Sequence, residues 1–211
     1  MQYGNNIEAT TQTQLNQLLA KQDLSFSQAT ELFDAIMNGQ LNDIELTAAL
    51  IALKLKGETS DEIAGAAASM RANAVPFQTS KTLLADSCGT GGDGSNTINI
   101  STTAAIVAAA AGINMVKHGN RSVSSNSGSA DLLKALGINI DMSPEQAAHC
   151  LDNTGFTFLF APHYHSGVRH AMGVRTALKS RTIFNILGPL ANPAAPEVQL
   201  LGVYDPSLCL P

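Results

Sequence analysis

The sequence predicts an α/β protein in two parts, a small helical domain and a second domain built on a mostly parallel sheet. Residues up to about 74 show only helical spacing of apolar residues, whereas from Leu83 onward short apolar runs alternate with helical stretches. Such alternation is typical of a parallel sheet. The length of 211 residues, 45% of them hydrophobic, suffices for one large or two small domains. We therefore predict a helical domain over residues 1–74, a connecting segment over 75–82 that contains Pro76, and an α/β domain over 83–211.

Local signals justify each helix of the first part. Two stripes of apolar residues at helical spacing predict the first two helices: Leu15, Leu18 and Leu19, then Leu32, Phe33, Ile36 and Met37. Asn42 with Glu45 is typical of a helix start, and Thr59 with Glu62 has the spacing of a capping box, in which each side chain bonds the backbone N–H of the other residue. These two pairs predict a third and a fourth helix.

Five short apolar runs predict the strands of the second part: residues 83–85, 113–116, 138–140, 156–160 and 198–203. Helical stretches separate the first four runs, at residues 102–111, 130–136 and 144–153. The last run is followed by Asp205-Pro206, which begins another helix shortly before the end of the chain. We therefore expect an incomplete sheet in a truncated chain.

The most informative segment is residues 89–94, Gly-Thr-Gly-Gly-Asp-Gly, directly after the first predicted strand. Its four glycines let backbone N–H groups approach an anion without obstruction by Cβ atoms. The helix that follows opens with Ser101, Thr102 and Thr103, and its N-terminus adds N–H donors and a positive dipole. The segment therefore predicts a phosphate-binding loop.

A dinucleotide is the first phosphate compound to consider, because Gly89, Gly91 and Gly94 fit the pattern G-x-G-x-x-G. That site uses an acidic residue roughly 20 positions further on to hold the ribose hydroxyls, yet no Asp or Glu occurs between Asp93 and Asp131. The carboxylate of Asp93 would also repel a pyrophosphate inside the loop, unless it faces sugar hydroxyls or a metal ion. The residues therefore disfavour NAD.

A second polar segment follows the next predicted strand: residues 117–125, Lys-His-Gly-Asn-Arg-Ser-Val-Ser-Ser. A doubly charged leaving group calls for such a set, with lysine and arginine for charge and serines for geometry. Because ligands gather at the carboxyl ends of parallel strands, we expect both polar segments to share one pocket. The alternative is a solvated basic turn, which the consecutive Ser124, Ser125, Asn126 and Ser127 disfavour.

Together these segments resemble the anthranilate phosphoribosyltransferase family, whose fold is shared with pyrimidine nucleoside phosphorylases. The matching segments, in order, are residues 89–94, 99–102, 117–125 with 128–131, 158–162, and 181–185 with 187–190. The resemblance implies a hinge at 75–82, and helices from about 168–190 that pack on the helical domain. It also implies a cytoplasmic enzyme of tryptophan biosynthesis, a homodimer through its helical domain, in which the anthranilate amine displaces pyrophosphate from phosphoribosyl pyrophosphate.

The resemblance assigns roles to positions of this sequence. Phosphoribosyl pyrophosphate is expected to contact Gly89, Gly92, Asp93, Thr97, Asn99, Ile100, Ser101, Thr102, Lys117, His118, Gly119, Asn120, Arg121, Ser122, Val123, Ser124, Ser125 and Ser129. Anthranilate is expected to contact Gly89, Asn120, Pro162, His165 and Arg175, with Arg175 at its carboxylate. The catalytic residues implied are Lys117 and Arg175, which supply charge, and His118, either as a late proton acceptor or in a purely structural role.

The implied cofactor is Mg²⁺, bound in part by the Ser101 hydroxyl. The family's other metal ligands are an adjacent Asp-Glu pair, and no such pair occurs after Asp131. This leaves open whether the chain is active by itself.

Net charge, cysteine content and the length of apolar runs disfavour some other classes of protein. A net charge of −5 disfavours a nucleic-acid-binding relative of the same fold. Cys88, Cys150 and Cys209 are odd in number and far apart, which indicates reduced thiols, and Cys88 is expected to be a small buried residue. No apolar run reaches the length of a membrane span. A pyrimidine nucleoside phosphorylase-like enzyme remains the alternative, disfavoured by Arg175.

Overall fold

The computed structural model describes residues 2–91, 98–121 and 128–210, with side chains from residue 9 onward. Two compact units make up the chain. A helical unit comprises Met1–Ala74 and His165–Leu187, and an α/β unit comprises Val75–Tyr164 and Gly188–Leu210. Among the described residues, no helix is both long enough and apolar enough to cross a membrane.

The helical unit is built from helices whose ends are fixed by local capping. Its helices are α1 (Gln2–Leu19), α2 (Phe26–Met37), α3 (Asp43–Lys56), α4 (Ser60–Ala72), α9 (Arg169–Leu178) and the first part of α10 (Phe184–Leu190). Both predicted helix starts are confirmed, and each is a capping box, at α3 and at α4. Ser25 with Gln28 forms another before α2. Leu19, predicted on the apolar stripe, is 58% exposed, because α1 ends there.

Close packing of α2 on α4 forms much of the helical core. Leu32, Phe33 and Ile36 of α2 are buried. A glycine permits the close approach of the two helices, since a Cβ atom at Gly65 would lie 2.5 Å from the backbone oxygen of Phe26. One buried carboxylate, Glu62, stabilises this region: it accepts hydrogen bonds from the backbone N–H of Leu24 at 2.9 Å and of Thr59 at 2.8 Å.

The α/β unit contains a four-stranded parallel sheet with the order β3-β2-β1-β4. Its elements are β1 (Leu84–Gly89), α5 (Ile100–Ala110), β2 (Asn114–Gly119), α6 (Ser129–Ala135), α7 (Pro144–Thr154), β3 (Phe156–Phe160), α8 (Ala161–Tyr164), the end of α10, and β4 (Val198–Gly202). The predicted fold class, a helical part and an α/β part with a parallel sheet, is therefore confirmed.

Helices cover both faces of the sheet. Along β3, Phe158 and Phe160 pack against α6, whereas Leu159 packs with Leu151 of α7. This alternation is the two-residue period of a strand.

One predicted strand is wrong. Residues 138–140 form no strand; Ile140 is 3% exposed and packs beside α6. Two apolar residues at alternate positions, Ile138 and Ile140, do not distinguish a strand from a connection with one buried side chain.

Candidate functional site

The carboxyl ends of β1 and β2 lie side by side, because the two strands are paired in parallel. Both strands are longer than predicted: β1 runs to Gly89 and β2 to Gly119. Lys117 and His118 are therefore buried strand residues and not part of a loop. The apolar pattern missed these strand ends because they consist of polar and small residues.

The start of the glycine-rich segment is anchored to β4. Gly89 pairs with Gly202 in the sheet, and the Thr90 N–H donates to the Gly202 oxygen at 2.9 Å. Gly91 has a φ of +65°, a conformation that favours glycine. The remaining predicted contacts of this segment, Gly92, Asp93 and Thr97, lie outside the described residues.

Helix α5 begins directly beyond that segment and contains the next group of predicted residues. Asn99 precedes the helix, and Ile100, Ser101 and Thr102 form its first turn. The Thr102 hydroxyl donates to the Ser129 hydroxyl at 3.0 Å, so the starts of α5 and α6 lie together. This arrangement brings hydroxyl groups from two helices to one edge of the sheet, beside the N–H groups at the start of α5.

Lys117 is buried beneath this edge, with 1% of its surface exposed. Its ammonium group donates to the carbonyl oxygen of Ser87 on β1. Burial lowers the pKa of Lys117, and the negative charge of Asp86 opposes that change. A buried ammonium group next to β1 is thus available to offset negative charge at the carboxyl ends of the strands.

The ring of His118 is oriented by a backbone carbonyl. Its Nδ1 lies 3.2 Å from the oxygen of Gly188. A carbonyl can only accept, so Nδ1 carries the proton and Nε2 is the basic nitrogen of the neutral ring. That tautomer is the one a proton acceptor at Nε2 requires.

Close packing explains why the residue after His118 is a glycine, Gly119. A Cβ atom at Gly119 would lie 2.8 Å from Cε2 of Phe158 and 3.3 Å from Cβ of Ser129. Asn120 is exposed, and its side-chain oxygen accepts from the Arg121 N–H at 2.7 Å. The Arg121 guanidinium lies 5.5 Å from the centre of the Phe160 ring. The predicted contacts Ser122, Val123, Ser124 and Ser125 lie outside the described residues.

Three predicted anthranilate contacts lie on α8, α9 and the turn between them. Pro162 is exposed on α8 of the α/β unit. His165 is 4% exposed and Arg175 is half-buried on α9, both in the helical unit. The Arg175 guanidinium lies 4.9 Å from the centre of the Phe184 ring, and burial lowers its pKa. Stacking fixes the plane of this guanidinium without occupying all its N–H donors.

The sequence did not predict a polar cluster in which the exposed Gln199 joins the buried Asp86 and Asn192. The Asn192 side-chain amide donates to Asp86 Oδ2 at 2.9 Å and to the Val116 oxygen at 2.8 Å. Gln199 donates to the Pro189 oxygen at 2.7 Å and lies 3.4 Å from Asp86 Oδ2. The sequence offered one sign of this cluster, the acidic Asp86 next to an apolar run. Its partners are more than 100 positions away along the chain.

The thiol of Cys88 has the buried, unreactive character that was predicted. It is 7% exposed, and burial, with the charge of Asp86, raises its pKa to about 12. A thiol with so high a pKa is not a nucleophile at neutral pH.

The described residues offer few ligands for a metal ion. They contain no group of three His, Cys, Asp or Glu side chains that could bind one. Ser101 offers one half-buried hydroxyl in the first turn of α5. This donor set suits a cation such as Mg²⁺ only if the ion arrives with phosphate oxygens, as Mg²⁺ often does.

Two family models match this chain. Residues 81–211 match the α/β domain of the glycosyl transferase family, and residues 12–74 match its helical bundle domain.

Proteins similar to this chain share one name. The chain is 77% identical over 208 residues to an anthranilate phosphoribosyltransferase of Pseudoalteromonas translucida, covering 99% of this chain and 59% of that protein. It is 57% identical to the protein of that name from Idiomarina loihiensis, over 90% of this chain and 57% of the relative. The chain thus spans somewhat under three fifths of the length of these curated relatives.

Solved structures agree with the fold. The anthranilate phosphoribosyltransferase of Thermus thermophilus superposes with a TM-score of 0.88 at 43% identity, over 92% of this chain and 59% of that one. A Saccharomyces cerevisiae structure, described as a complex with PRPP and Mg, gives a TM-score of 0.85 at 32% identity, over 95% and 60% of the two chains. With family models that match both its units, the chain belongs to the glycosyl transferase family of helical-bundle and α/β domains.

Proposed function

We propose that this protein transfers the phosphoribosyl group of phosphoribosyl pyrophosphate to anthranilate, giving N-(5-phosphoribosyl)anthranilate and pyrophosphate in tryptophan biosynthesis. The observation that carries the proposal is the edge of the sheet at which β1 and β2 end, where Lys117, His118 and the Thr102–Ser129 hydroxyl pair meet the start of α5. Relatives with the name of this activity, up to 77% identical, support it.

The chemistry of the reaction fits these groups. Positive charge develops on the ribose and negative charge on the leaving pyrophosphate, so catalysis depends on alignment and on groups that stabilise the diphosphate. The N–H groups at the start of α5, the hydroxyls of Thr102 and Ser129, and the Lys117 charge would serve that purpose. Residues outside the described ranges, such as Asp93 and Ser122, complete the proposed contacts.

On the anthranilate side, the proposed roles belong to His118 and Arg175. An aromatic amine is nucleophilic when neutral, so a proton acceptor is needed only late, and the tautomer of His118 leaves its Nε2 as the basic nitrogen. Arg175 would pair with the substrate carboxylate through its fixed guanidinium plane. Pro162, His165 and Asn120 are the further proposed contacts.

Mg²⁺ is the proposed cofactor, because the S. cerevisiae structure is described as a complex with PRPP and Mg. In this chain the Ser101 hydroxyl would bind the ion together with diphosphate oxygens. The ion would offset charge on the leaving pyrophosphate.

We further propose that the enzyme is a cytoplasmic homodimer, with residues 75–82 as the hinge between its domains. Helices α1 and α3 line a cavity of about 590 Å³ in the helical unit. Leu19, Ile44 and Leu55 beside it are 58%, 81% and 75% exposed, and so much exposed apolar surface favours a second copy as its partner.

A chimera tests the activity. The 208 residues of this chain that match the P. translucida protein would replace their counterparts in it, and anthranilate fluorescence would be followed with phosphoribosyl pyrophosphate and Mg²⁺. We expect the chimera to consume anthranilate like the unaltered relative, and Lys117→Gln within it to lower kcat/KM by about 100-fold or more. A chimera that folds but stays inactive beside an active relative would overturn the proposal.

A further inference from the structure

Residues 188–192 of the α/β unit, Gly-Pro-Leu-Ala-Asn, form a short segment that polar side chains attach to the sheet. The segment begins in the last turn of α10, where carbonyl oxygens have no partner within a helix. Its first two residues offer the sheet carbonyl oxygens, because glycine has no side chain and proline has no N–H group. Donors on other elements are therefore needed to fix the start of the segment.

The two carbonyl oxygens accept hydrogen bonds from two different strands. On β2, Nδ1 of His118 lies 3.2 Å from the Gly188 oxygen, which also accepts the Ala191 N–H at 3.3 Å. On β4, the Gln199 amide donates to the Pro189 oxygen at 2.7 Å. The proline ring fixes φ between these two peptide groups. A bond that holds the Pro189 oxygen therefore also limits movement of the Gly188 oxygen.

The end of the segment is anchored by the side chain of Asn192, which is 3% exposed. Its amide nitrogen donates to Asp86 Oδ2 on β1 at 2.9 Å and to the Val116 oxygen on β2 at 2.8 Å. Its oxygen accepts the Ala194 N–H at 2.9 Å. Both N–H groups and the oxygen of this amide are therefore bonded, which fixes the segment to the two strands that carry the proposed site.

The functional group that this segment contacts is the ring of His118. The residue is 5% exposed, so packing restricts rotation of the ring. Packing does not choose between the two neutral tautomers, because they have the same shape and differ only in which nitrogen carries the proton. The Gly188 oxygen favours one of them, since a carbonyl accepts from an Nδ1–H group and repels a deprotonated Nδ1.

We propose that Asn192 and Gln199 are positioning residues that fix the Gly188 oxygen and thereby keep the proton of the neutral His118 ring on Nδ1. The use of Nε2 as a proton acceptor rests on the proposed function, but the choice of tautomer does not. Neither positioning residue touches a substrate in this proposal. A ring released from the carbonyl would populate both tautomers, and the form protonated at Nε2 accepts no proton there.

The test compares Gln199→Ala with Glu197→Ala. Both side chains are exposed, and each hydrogen-bonds one backbone group of the α/β unit. The Glu197 bond is to the Leu84 N–H of β1, at 2.7 Å, and not to residues 188–192, so Glu197→Ala is the matched control. In the 211-residue chain with ¹⁵N-labelled histidine, the ring signals of His118 are assigned by their loss in His118→Gln.

The shifts of the two ring nitrogens are measured at alkaline pH, where an ordinary histidine is neutral. In the unchanged chain and in Glu197→Ala, we expect the shifts of a ring protonated at Nδ1. In Gln199→Ala the two shifts should move toward each other, because the second tautomer becomes populated. Unaltered ring shifts in Gln199→Ala would overturn the inference. This readout needs no catalysis, so its failure is distinct from a failure of the proposed function.

Two further variants separate the hydrogen bond from packing and from folding. Gln199→Glu keeps the length of the side chain but has no N–H group to donate at alkaline pH, so it should shift the ring signals as alanine does. A glutamate variant with the ring shifts of the unchanged chain would contradict the role of the bond. Asn192→Ala should cause a larger shift, because it removes three hydrogen bonds. If that variant does not fold, Gln199→Ala decides by itself, since its side chain is exposed.

An activity measurement in the chimera adds the functional consequence. There Gln199→Ala should lower kcat by roughly tenfold, a part of what a proton acceptor contributes, with little change in KM for phosphoribosyl pyrophosphate. In a His118→Gln background the same substitution should cause no further loss, because its effect passes through the ring. A loss of kcat that persists in full without His118 would show a merely structural role and would overturn the inference.

Discussion

The helical unit and the α/β unit bury charged groups in opposite ways. In the helical unit, Glu62 binds the Lys56 ammonium at 2.9 Å and two backbone N–H groups as well. In the α/β unit, Asp86 and Lys117 are equally buried but are held by neutral groups only. The first arrangement pairs opposite charges directly, whereas in the second each charge is hydrogen-bonded only to neutral groups, near the edge of the sheet where a charged ligand is proposed to bind.

The starts of the helices beside the proposed site differ from those of the helical unit, although α7 of the α/β unit also begins with a capping box. The helices α2, α3 and α4 begin with capping boxes formed by their own residues. In contrast, the starts of α5 and α6 are joined to each other by the Thr102–Ser129 hydrogen bond. Local completion favours stability, and hydroxyls gathered from two helices favour binding.

The largest loss of stability is expected from breaking the ion pair between Glu62 and Lys56 in the helical unit. Glu62→Ala would leave two backbone N–H groups without their acceptor, and would leave Lys56, whose side chain is 6% exposed, with the exposed Asp23 as its remaining carboxylate partner. We expect the free energy of unfolding to fall by about 3–5 kcal/mol, measured by urea denaturation. The control is Asp23→Asn, which removes the exposed partner of Lys56 and should cost less than about 1 kcal/mol. Equal losses in both variants would show that burial of the pair is irrelevant.

Smaller changes in stability, of opposite sign, are expected when two glycines of the helical unit are replaced by alanine. Gly65→Ala places a Cβ atom 2.5 Å from the Phe26 oxygen and should destabilise the unit by about 1–3 kcal/mol. Gly173→Ala on α9 meets no atom within 4 Å and should stabilise it by up to about 1 kcal/mol. Thermal unfolding followed by circular dichroism measures both, and a stable Gly65→Ala variant would contradict the close packing of α2 on α4.

The smallest change in stability is expected from ionisation of the Cys88 thiol of the α/β unit at alkaline pH. Its pKa is raised, from 9.0 to about 12, first by burial and then by Asp86. The folded state therefore holds this proton more tightly than the unfolded state, so the thiol's contribution to stability is complete below pH 9 and is lost as the pH rises toward 12. Urea midpoints measured across this range should fall less with pH in Cys88→Ala than in the unchanged chain.

Thiol labelling provides the check on that prediction. The exposed Cys209 should react with a disulfide reagent at about pH 8, near the ordinary pKa of a thiol, whereas Cys88 should react only after unfolding. In a Cys209→Ser variant, rapid labelling of Cys88 in the folded chain would contradict its burial.

Several features of the fold and the site followed from local chemistry. The pairs Asn42 with Glu45 and Thr59 with Glu62 predicted two helix starts, because a capping box is complete within about four residues. Residues 89–94 and the hydroxyl residues after them predicted a candidate phosphate site after the first strand. The backbone N–H groups of a glycine-rich loop and of a helix N-terminus lie within a few residues of each other, so this prediction needed no distant contact.

Other features did not follow from the sequence. The ends of β1 and β2 were missed because Cys88, Lys117 and His118 are buried there by strand pairing and not by their own hydrophobicity. Residues 138–140 were assigned to a strand because Ile138 and Ile140 alternate with a polar residue, whereas only Ile140 is buried, beside α6.

By itself, the sequence determined the helices of the first part, the alternation of the second, and the polar residues that follow its strands. Those features depend on hydrogen bonds and apolar spacing within a few residues. Only the tertiary structure decided that Asn192 and Gln199 reach Asp86 from more than 100 positions away, and that Lys117 is buried on the adjacent strand. The physical reason is that a buried polar group needs a hydrogen-bond partner nearby in space, so its partner depends on which strands are paired and not on which residues adjoin in the chain.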